Sequence, residues 1–236
     1  MNLPAKLLTE LVGTFVFLSV IALFPTSGPS APLAPIAVGT ALMVMVYMGG
    51  HISGAHYNPA VSLGLFLRRK IGAVTLVAYW VAQLAGGALA FVAAYLLTGH
   101  TPGIHPGSGV ITASALAVEV LFTAALVLVV LNVAATRATE GNSFYGLAIG
   151  FTILAASFAG GPISGGAFNP AVGFGATLGA ALYGGGSWSD LWLYLVGPLA
   201  GGVIAAVVHW AQITGTVALE PTPAAPAVQE QQPSTQ

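Results

Sequence analysis

The sequence predicts an all-α membrane protein of six transmembrane helices plus two re-entrant half-helices, arranged as an inverted repeat. Three observations carry this. The 236 residues are 56% hydrophobic and only 5% charged, with a mean hydropathy of +0.90. A soluble domain carries about 25% charged residues, so this chain lacks the polar surface to cover a water-soluble globule. Second, Ile52-Ser53-Gly54-Ala55-His56-Tyr57-Asn58-Pro59-Ala60-Val61 returns as Ile163-Ser164-Gly165-Gly166-Ala167-Phe168-Asn169-Pro170-Ala171-Val172. Third, the five basic residues all fall on one side of a six-span arrangement.

The elements follow in order. Ala5–Phe24 is the first span; it is too long for a signal-peptide core, carries Glu10, and no clear cleavage site follows it. Pro25–Pro35 is a Pro/Ser-rich loop, and Ala34–Met48 a second, short span. His51–Tyr57 is a Gly-rich loop that opens into a half-helix over Asn58–Leu67. Asn is a favoured N-cap and Pro suits the first helical position, so Asn-Pro-Ala starts a helix sharply. Arg68-Arg69-Lys70 turns the chain. Ile71–Leu97 contains the third span, and Thr98–Gly109 is a loop with two histidines. Ala113–Ala135 is the fourth span, Thr136–Ser143 a polar turn, and Phe144–Phe158 a fifth span, again short. Ala159–Phe168 and Asn169–Ala181 repeat the Gly-rich loop and half-helix. Tyr183–Ser189 is a loop and Leu191–Ile213 the sixth span. One channel domain therefore covers residues 1–219. Residues 220–236, rich in Pro, Ala and Gln, read as a disordered cytoplasmic tail.

The repeats cover about residues 5–97 and 113–213. Asn58 and Asn169 are 111 apart (169 − 58), Glu10 and Glu119 are 109 apart (119 − 10), and Leu84-Ala85-Gly86-Gly87 recurs as Leu199-Ala200-Gly201-Gly202. Three spans per half turn the second half upside down. Interrupted apolar segments at matching places in inverted halves point to a site near the bilayer midplane. Lys6, Arg68, Arg69, Lys70 and Arg137 share one side, and the excess of basic residues in cytoplasmic loops puts both termini in the cytoplasm; the cell (inner or plasma) membrane is the expected location.

Several classes are excluded. The alternating ten-residue segments of a membrane β-barrel are missing. A net charge of −1 gives no nucleic-acid footprint. With no Cys there is no disulfide or thiolate metal site, and mercurials should not inhibit through a thiol. No acid, base and nucleophile constellation supports an enzyme, and no cofactor or metal is called for.

Two half-helix starts inside an apolar chain form the candidate site. Non-helical backbone at membrane depth is tolerated only where it is buried in protein or lines a wet cavity. The carbonyls of Gly54, Ala55, His56 and Tyr57, and of Gly165, Gly166, Ala167 and Phe168, are expected to form two acceptor ladders, with the Asn58 and Asn169 amides as central donors. Such a file suits hydrogen-bonded neutral solutes, and two positive dipole ends at the centre repel cations and protons. Glu10 and Glu119, buried mid-span, are read as braces accepting hydrogen bonds from the N–H groups of the two loops; a proton relay is the competing reading. His51 and His56 are read as loop braces, and His100 and His105 as residues of a solvated outer loop.

Paired Asn58-Pro59-Ala60 and Asn169-Pro170-Ala171, the inverted repeat and the Glu10/Glu119 pair resemble the aquaporin, or major intrinsic protein, family. The resemblance spans about Leu7 to Gln212. It implies a right-handed six-span bundle, a homotetramer with a pore in each subunit, and passive two-way flow of water or small uncharged solutes across the lipid bilayer. It also implies a selectivity filter at Val38, Ser157, Gly166 and Val172. Members of the family usually carry Arg at the last position, and strict water channels an aromatic and a His at the first two. Here all four are small or apolar. A missing guanidinium removes a fixed cation and a fork of donors, so the filter is expected to be wide and to admit glycerol, urea or undissociated metalloid acids as well as water. Tyr194-Leu195 before Val196-Gly197-Pro198 resembles plant channels that pass metalloid acids. The alternatives are a narrow water channel, in which Tyr57 and Phe168 close the gap, an ion-coupled secondary transporter, for which no charged residue other than Glu10 and Glu119 lies mid-span, and a non-conducting scaffold.

Overall fold

The computed structural model describes residues 1–184 and 186–217; the expected tail at 220–236 lies outside the described residues. The described chain is helical, without strands. Its order is α1 (Leu3–Leu23), α2 (Ala34–Ser53), α3 (Pro59–Leu67), α4 (Ala73–Thr98), α5 (Thr112–Ala134), α6 (Tyr145–Ser164), α7 (Pro170–Gly179) and α8 (Leu191–Val217). Six of these are long and apolar enough to cross a membrane, and α3 and α7 are the half-helices. Single turns precede α2 and α6, and a π-turn follows α7.

The packing obeys the repeat. α1 lies on α4 and α2 as α5 lies on α8 and α6, while each half-helix crosses over: α3 packs on α8, and α7 on α4. The recurring Leu-Ala-Gly-Gly explains both contacts. A Cβ on Gly86 would stand 2.6 Å from the Leu11 carbonyl, and one on Gly201 2.6 Å from that of Val120. These first glycines bring span against span. The second glycines seat the half-helices, since a Cβ on Gly87 would meet the Ala171 carbonyl at 2.7 Å and one on Gly202 the Ala60 carbonyl at 2.7 Å. In lipid, close backbone approach through small residues replaces the hydrophobic driving force between helices.

Two expectations are corrected. Neither α2 nor α6 is short: each has 20 residues and runs through the Gly pair that reads as its end. α2 continues past Gly49-Gly50 to Ser53, and α6 continues past Gly160-Gly161 and through Pro162 to Ser164. The last carbonyls of a buried helix need partners, and tertiary contacts supply them. The Tyr79 hydroxyl donates to the Ser53 carbonyl at 2.7 Å, and the Tyr194 hydroxyl to that of Ser164 at 2.7 Å. The Ile163 carbonyl accepts from Gly107 N at 3.0 Å. Gly54 and Gly165 then end the two helices at φ 91° and 92°, where glycine carries no Cβ penalty. The second correction concerns the loop between α4 and α5. Its His100 and His105 are exposed as expected, but Pro102, Gly103 and Ile104 turn inward and wall a cavity on that side of the bundle.

Candidate functional site: two half-helix starts across a narrow channel

Asn58 and Asn169 cap α3 and α7 with equivalent geometry. The Asn58 Oδ1 accepts from Ala60 N at 2.9 Å, and the Asn169 Oδ1 from Ala171 N at 2.9 Å. Both side chains are buried to 3% exposure. Their amides cross between the halves: Asn58 Nδ2 donates to the Phe168 carbonyl and Asn169 Nδ2 to the Tyr57 carbonyl, each at 2.9 Å. One N–H of each amide is thereby used, and one remains. The last rung of each expected ladder is correspondingly occupied.

The loops before the Asn residues turn through left-handed backbone at Ala55 (φ 50°), Tyr57 (φ 49°), Gly166 (φ 74°) and Phe168 (φ 49°). Such strain at a non-glycine residue costs on the order of 1–3 kcal/mol and persists only where the surroundings over-determine it. Here two carboxylates do so. The Glu10 Oε1 accepts from Ser53 Oγ at 2.6 Å and His56 N at 3.0 Å; its Oε2 accepts from Tyr57 N and Gln83 Nε2, both at 2.8 Å. The Glu119 Oε1 accepts from Ser164 Oγ at 2.7 Å and Ala167 N at 3.0 Å, and its Oε2 from Phe168 N at 2.7 Å. Both carboxylates have no exposed surface. With the loop N–H groups turned to them, no donor among the described residues takes the carbonyls of Gly54, Ala55, His56, Gly165, Gly166 or Ala167.

The rings of Tyr57 and Phe168 do not close the channel. Tyr57 fills a notch left by Gly13 of α1 and Gly49 of α2, where any Cβ would overlap it, and its hydroxyl donates to the Met45 carbonyl at 3.0 Å. Phe168 sits against Gly160 and meets Phe122 edge-on at 5.5 Å. His56 is buried, with Nδ1 2.9 Å from Ser62 Oγ and its ring edge-on to Tyr79; His51 is exposed at the end of α2.

Two cavities lie in line. A central segment of about 20 Å³ holds the Asn pair, the two loops and an apolar wall from α1, α2, α5 and α6; that is room for about one water. A vestibule of about 460 Å³ adjoins it. Ile21, Val38, Ser157 and Gly166 line both and so mark the junction between them, while Val172 lines the vestibule. No lining residue of either cavity is Lys, Arg, Asp or Glu. At the other end Lys6, Lys70, Arg137 and Glu140 surround a second mouth together with His56 and Thr136. No group of three or more His, Cys, Asp or Glu residues that could hold a metal occurs among the described residues.

Sequence reasoning missed several partners. Ser53 and Ser164 lie inside the repeated Ile-Ser-Gly. Tyr79 and Tyr194 are 115 apart (194 − 79), the offset of the Leu-Ala-Gly-Gly pair, so the repeat itself held the signal. Gln83 had none, because its counterpart in the second half is Pro198. Nor had His209: Arg68 Nε, just past the end of α3, donates to its Nδ1 at 2.9 Å, and Thr136 Oγ1 lies 2.9 Å from its Nε2. Thr136 gives its own proton to the Leu131 carbonyl, so the imidazole carries its hydrogen on Nε2 and accepts on Nδ1. His209→Leu should therefore lower the thermal midpoint of the detergent-solubilised protein clearly more than His51→Leu. A hydrogen bond to a charged group contributes about 1.5–3 kcal/mol, and the exposed His51 makes no such bond among the described residues.

The model of the major intrinsic protein family matches residues 2–209. The chain is 37% identical to aquaporin NIP1-1 of Oryza sativa subsp. japonica over 212 residues, covering 85% of this chain and 72% of that protein. It is 39% identical to aquaporin TIP2-1 of Arabidopsis thaliana over 182 residues, covering 75% and 71%. The X-ray structure of the aquaglyceroporin from Plasmodium falciparum superposes with a TM-score of 0.80 at 25% identity, over 93% of this chain and all of that one. With its crossed half-helices and a family match over residues 2–209, the chain belongs to the major intrinsic protein family, as a multi-pass membrane protein forming a passive, non-enzymatic channel for water and small solutes.

Proposed function

We propose that this channel has a wide, apolar and poorly discriminating outer filter, formed by Val38, Ser157, Gly166 and Val172. Water passes, and so do larger neutral solutes such as glycerol, urea and undissociated metalloid acids. The observation that carries this reading is Val172, which follows the second Asn-Pro-Ala and lines an uncharged vestibule of about 460 Å³. Its repeat mate is Val61, so both motifs read Asn-Pro-Ala-Val and neither motif places a fixed cation in the vestibule or the central segment. A similar solved structure is that of an aquaglyceroporin, which agrees with a range beyond water.

In this reading the free carbonyls of Gly54, Ala55, His56, Gly165, Gly166 and Ala167 accept from the passing solute, joined by the second lone pairs of Tyr57 and Phe168. The remaining N–H of Asn58 and of Asn169 donates to it at the centre. Pro59, Ala60, Pro170 and Ala171 set the helix starts that aim those amides. Glu10 and Glu119 brace the loops; all their contacts are with groups of the loops or their supports, which favours bracing over a proton relay. The working unit is a homotetramer of one-domain subunits (residues 1–219) in the cell membrane with cytoplasmic termini. The gathering of Lys6, Lys70 and Arg137 around one mouth agrees with that orientation.

The test is light-scattering flux in proteoliposomes, comparing water, glycerol and arsenous acid for the native chain and Val172→Arg. The native chain is expected to pass all three and Val172→Arg chiefly water. A native chain that passes water alone sinks the reading.

A further inference from the structure

Past the residues the two cavities share, the space open to water falls from about 460 Å³ in the solvent-open vestibule to about 20 Å³ in the central segment. We propose that solute size is selected at the midplane, by the apolar side chains of Phe17, Leu42, Leu126 and Ile153 across from the Asn pair, and not at the outer ring. The inference deepens the reading of the outer ring as wide and rests on it.

These four residues line the central segment together with Asn58 and Asn169, and none of them lines the vestibule. Phe17 and Leu126 are 109 apart (126 − 17), and Leu42 and Ile153 111 apart (153 − 42), the offsets of the glutamates and of the asparagines. They are therefore two pairs related by the inverted repeat, one member from each half, straddling the level where the half-helices meet. All four are buried in the core, at 2–5% exposure. Close-packed side chains yield to a larger solute only by leaving favoured rotamers.

The polar side of the segment cannot adjust in their place. One N–H of each Asn is fixed on the opposite loop, and the loops are fixed by Glu10 and Glu119. What can move is the apolar wall. A solute wider than water passes when those side chains rotate aside, so their bulk sets a graded limit on size. Val172 is equally buried, at 2% exposure, but it lines the larger vestibule and not the central segment, so its bulk has less purchase on the narrow step.

The test is stopped-flow flux in proteoliposomes with water, glycerol and a larger polyol, for the native chain, Leu42→Ala, Ile153→Ala and Val172→Ala. Leu42→Ala and Ile153→Ala are expected to raise the glycerol-to-water permeability ratio several-fold and to admit the larger polyol, more than Val172→Ala does. An equal or larger rise in Val172→Ala overturns the proposal. Because removing core methyl groups can unfold the chain, the opposite pair is measured too. Leu42→Phe is expected to depress the ratio more than Val172→Phe while water still flows, and the reverse order overturns the proposal. The native chain's own glycerol flux tests the wide-range reading separately: if it is nil while Leu42→Ala conducts glycerol, the midplane assignment stands and the solute range does not.

Discussion

Glu10→Ala is expected to abolish stable, conducting protein. The carboxylate accepts four hydrogen bonds with no exposed surface, and its loss strands the donors of Ser53, His56, Tyr57 and Gln83. Each unmet buried donor costs about 1–3 kcal/mol. The total approaches the 5–15 kcal/mol by which whole domains are stable, and the left-handed turn at Tyr57 loses its restraint. Glu119→Ala should be severe but milder, since it strands three donors and Pro198 stands where the first half has Gln83. Expression yield, elution profile and thermal midpoint of the solubilised variants give the order directly. A Glu10→Ala protein with native midpoint and water flux would refute the bracing role.

Gly201→Val should fail comparably through steric contact alone. Its Cβ would stand 2.6 Å from the Val120 carbonyl oxygen and 2.8 Å from Ala124 N. Both are backbone atoms of α5, so no side chain can swing away and the two helices must separate. Overpacking costs typically 1–3 kcal/mol where side chains can adjust, and more is expected here. Gly72→Val is the control: a Cβ there meets nothing within 4 Å and its φ is ordinary. The proportion of each variant recovered as a monodisperse species measures the contrast, and equal recovery would mean that the α5–α8 crossing tolerates separation.

The features legible in the sequence were those written twice. The Asn-Pro-Ala starts, the Glu pair and the Gly pairs of α4 and α8 recur at nearly constant offset, and the structure brings each pair into equivalent surroundings. Helix ends were not legible. Gly49-Gly50 and Gly160-Gly161-Pro162 are local stop signals, overruled because Tyr79 and Tyr194 satisfy carbonyls beyond them from other helices. The link from Arg68 through His209 to Thr136 joins three distant segments and occurs once, so neither spacing nor repetition announced it. Ile104 lies in a loop whose Gly and Pro content predicts irregular backbone but not the side on which it folds. The narrow centre, too, depends on how four helices converge, which no single stretch encodes.

The crossed bonds of the two asparagines also bear on how the chain is made. Asn58 finds its acceptor 110 residues later, at Phe168, and α3 finds its seat on α8, the last of the described helices. A first half emerging alone must hold a half-helix with no floor beneath it and an amide with no acceptor, in a medium that offers neither. The first half can enter the bilayer early but completes its own loop only when the second arrives. Biogenesis should then end in a single late, cooperative closure of both halves at once. Halves produced as separate polypeptides should each be labile, and functional together.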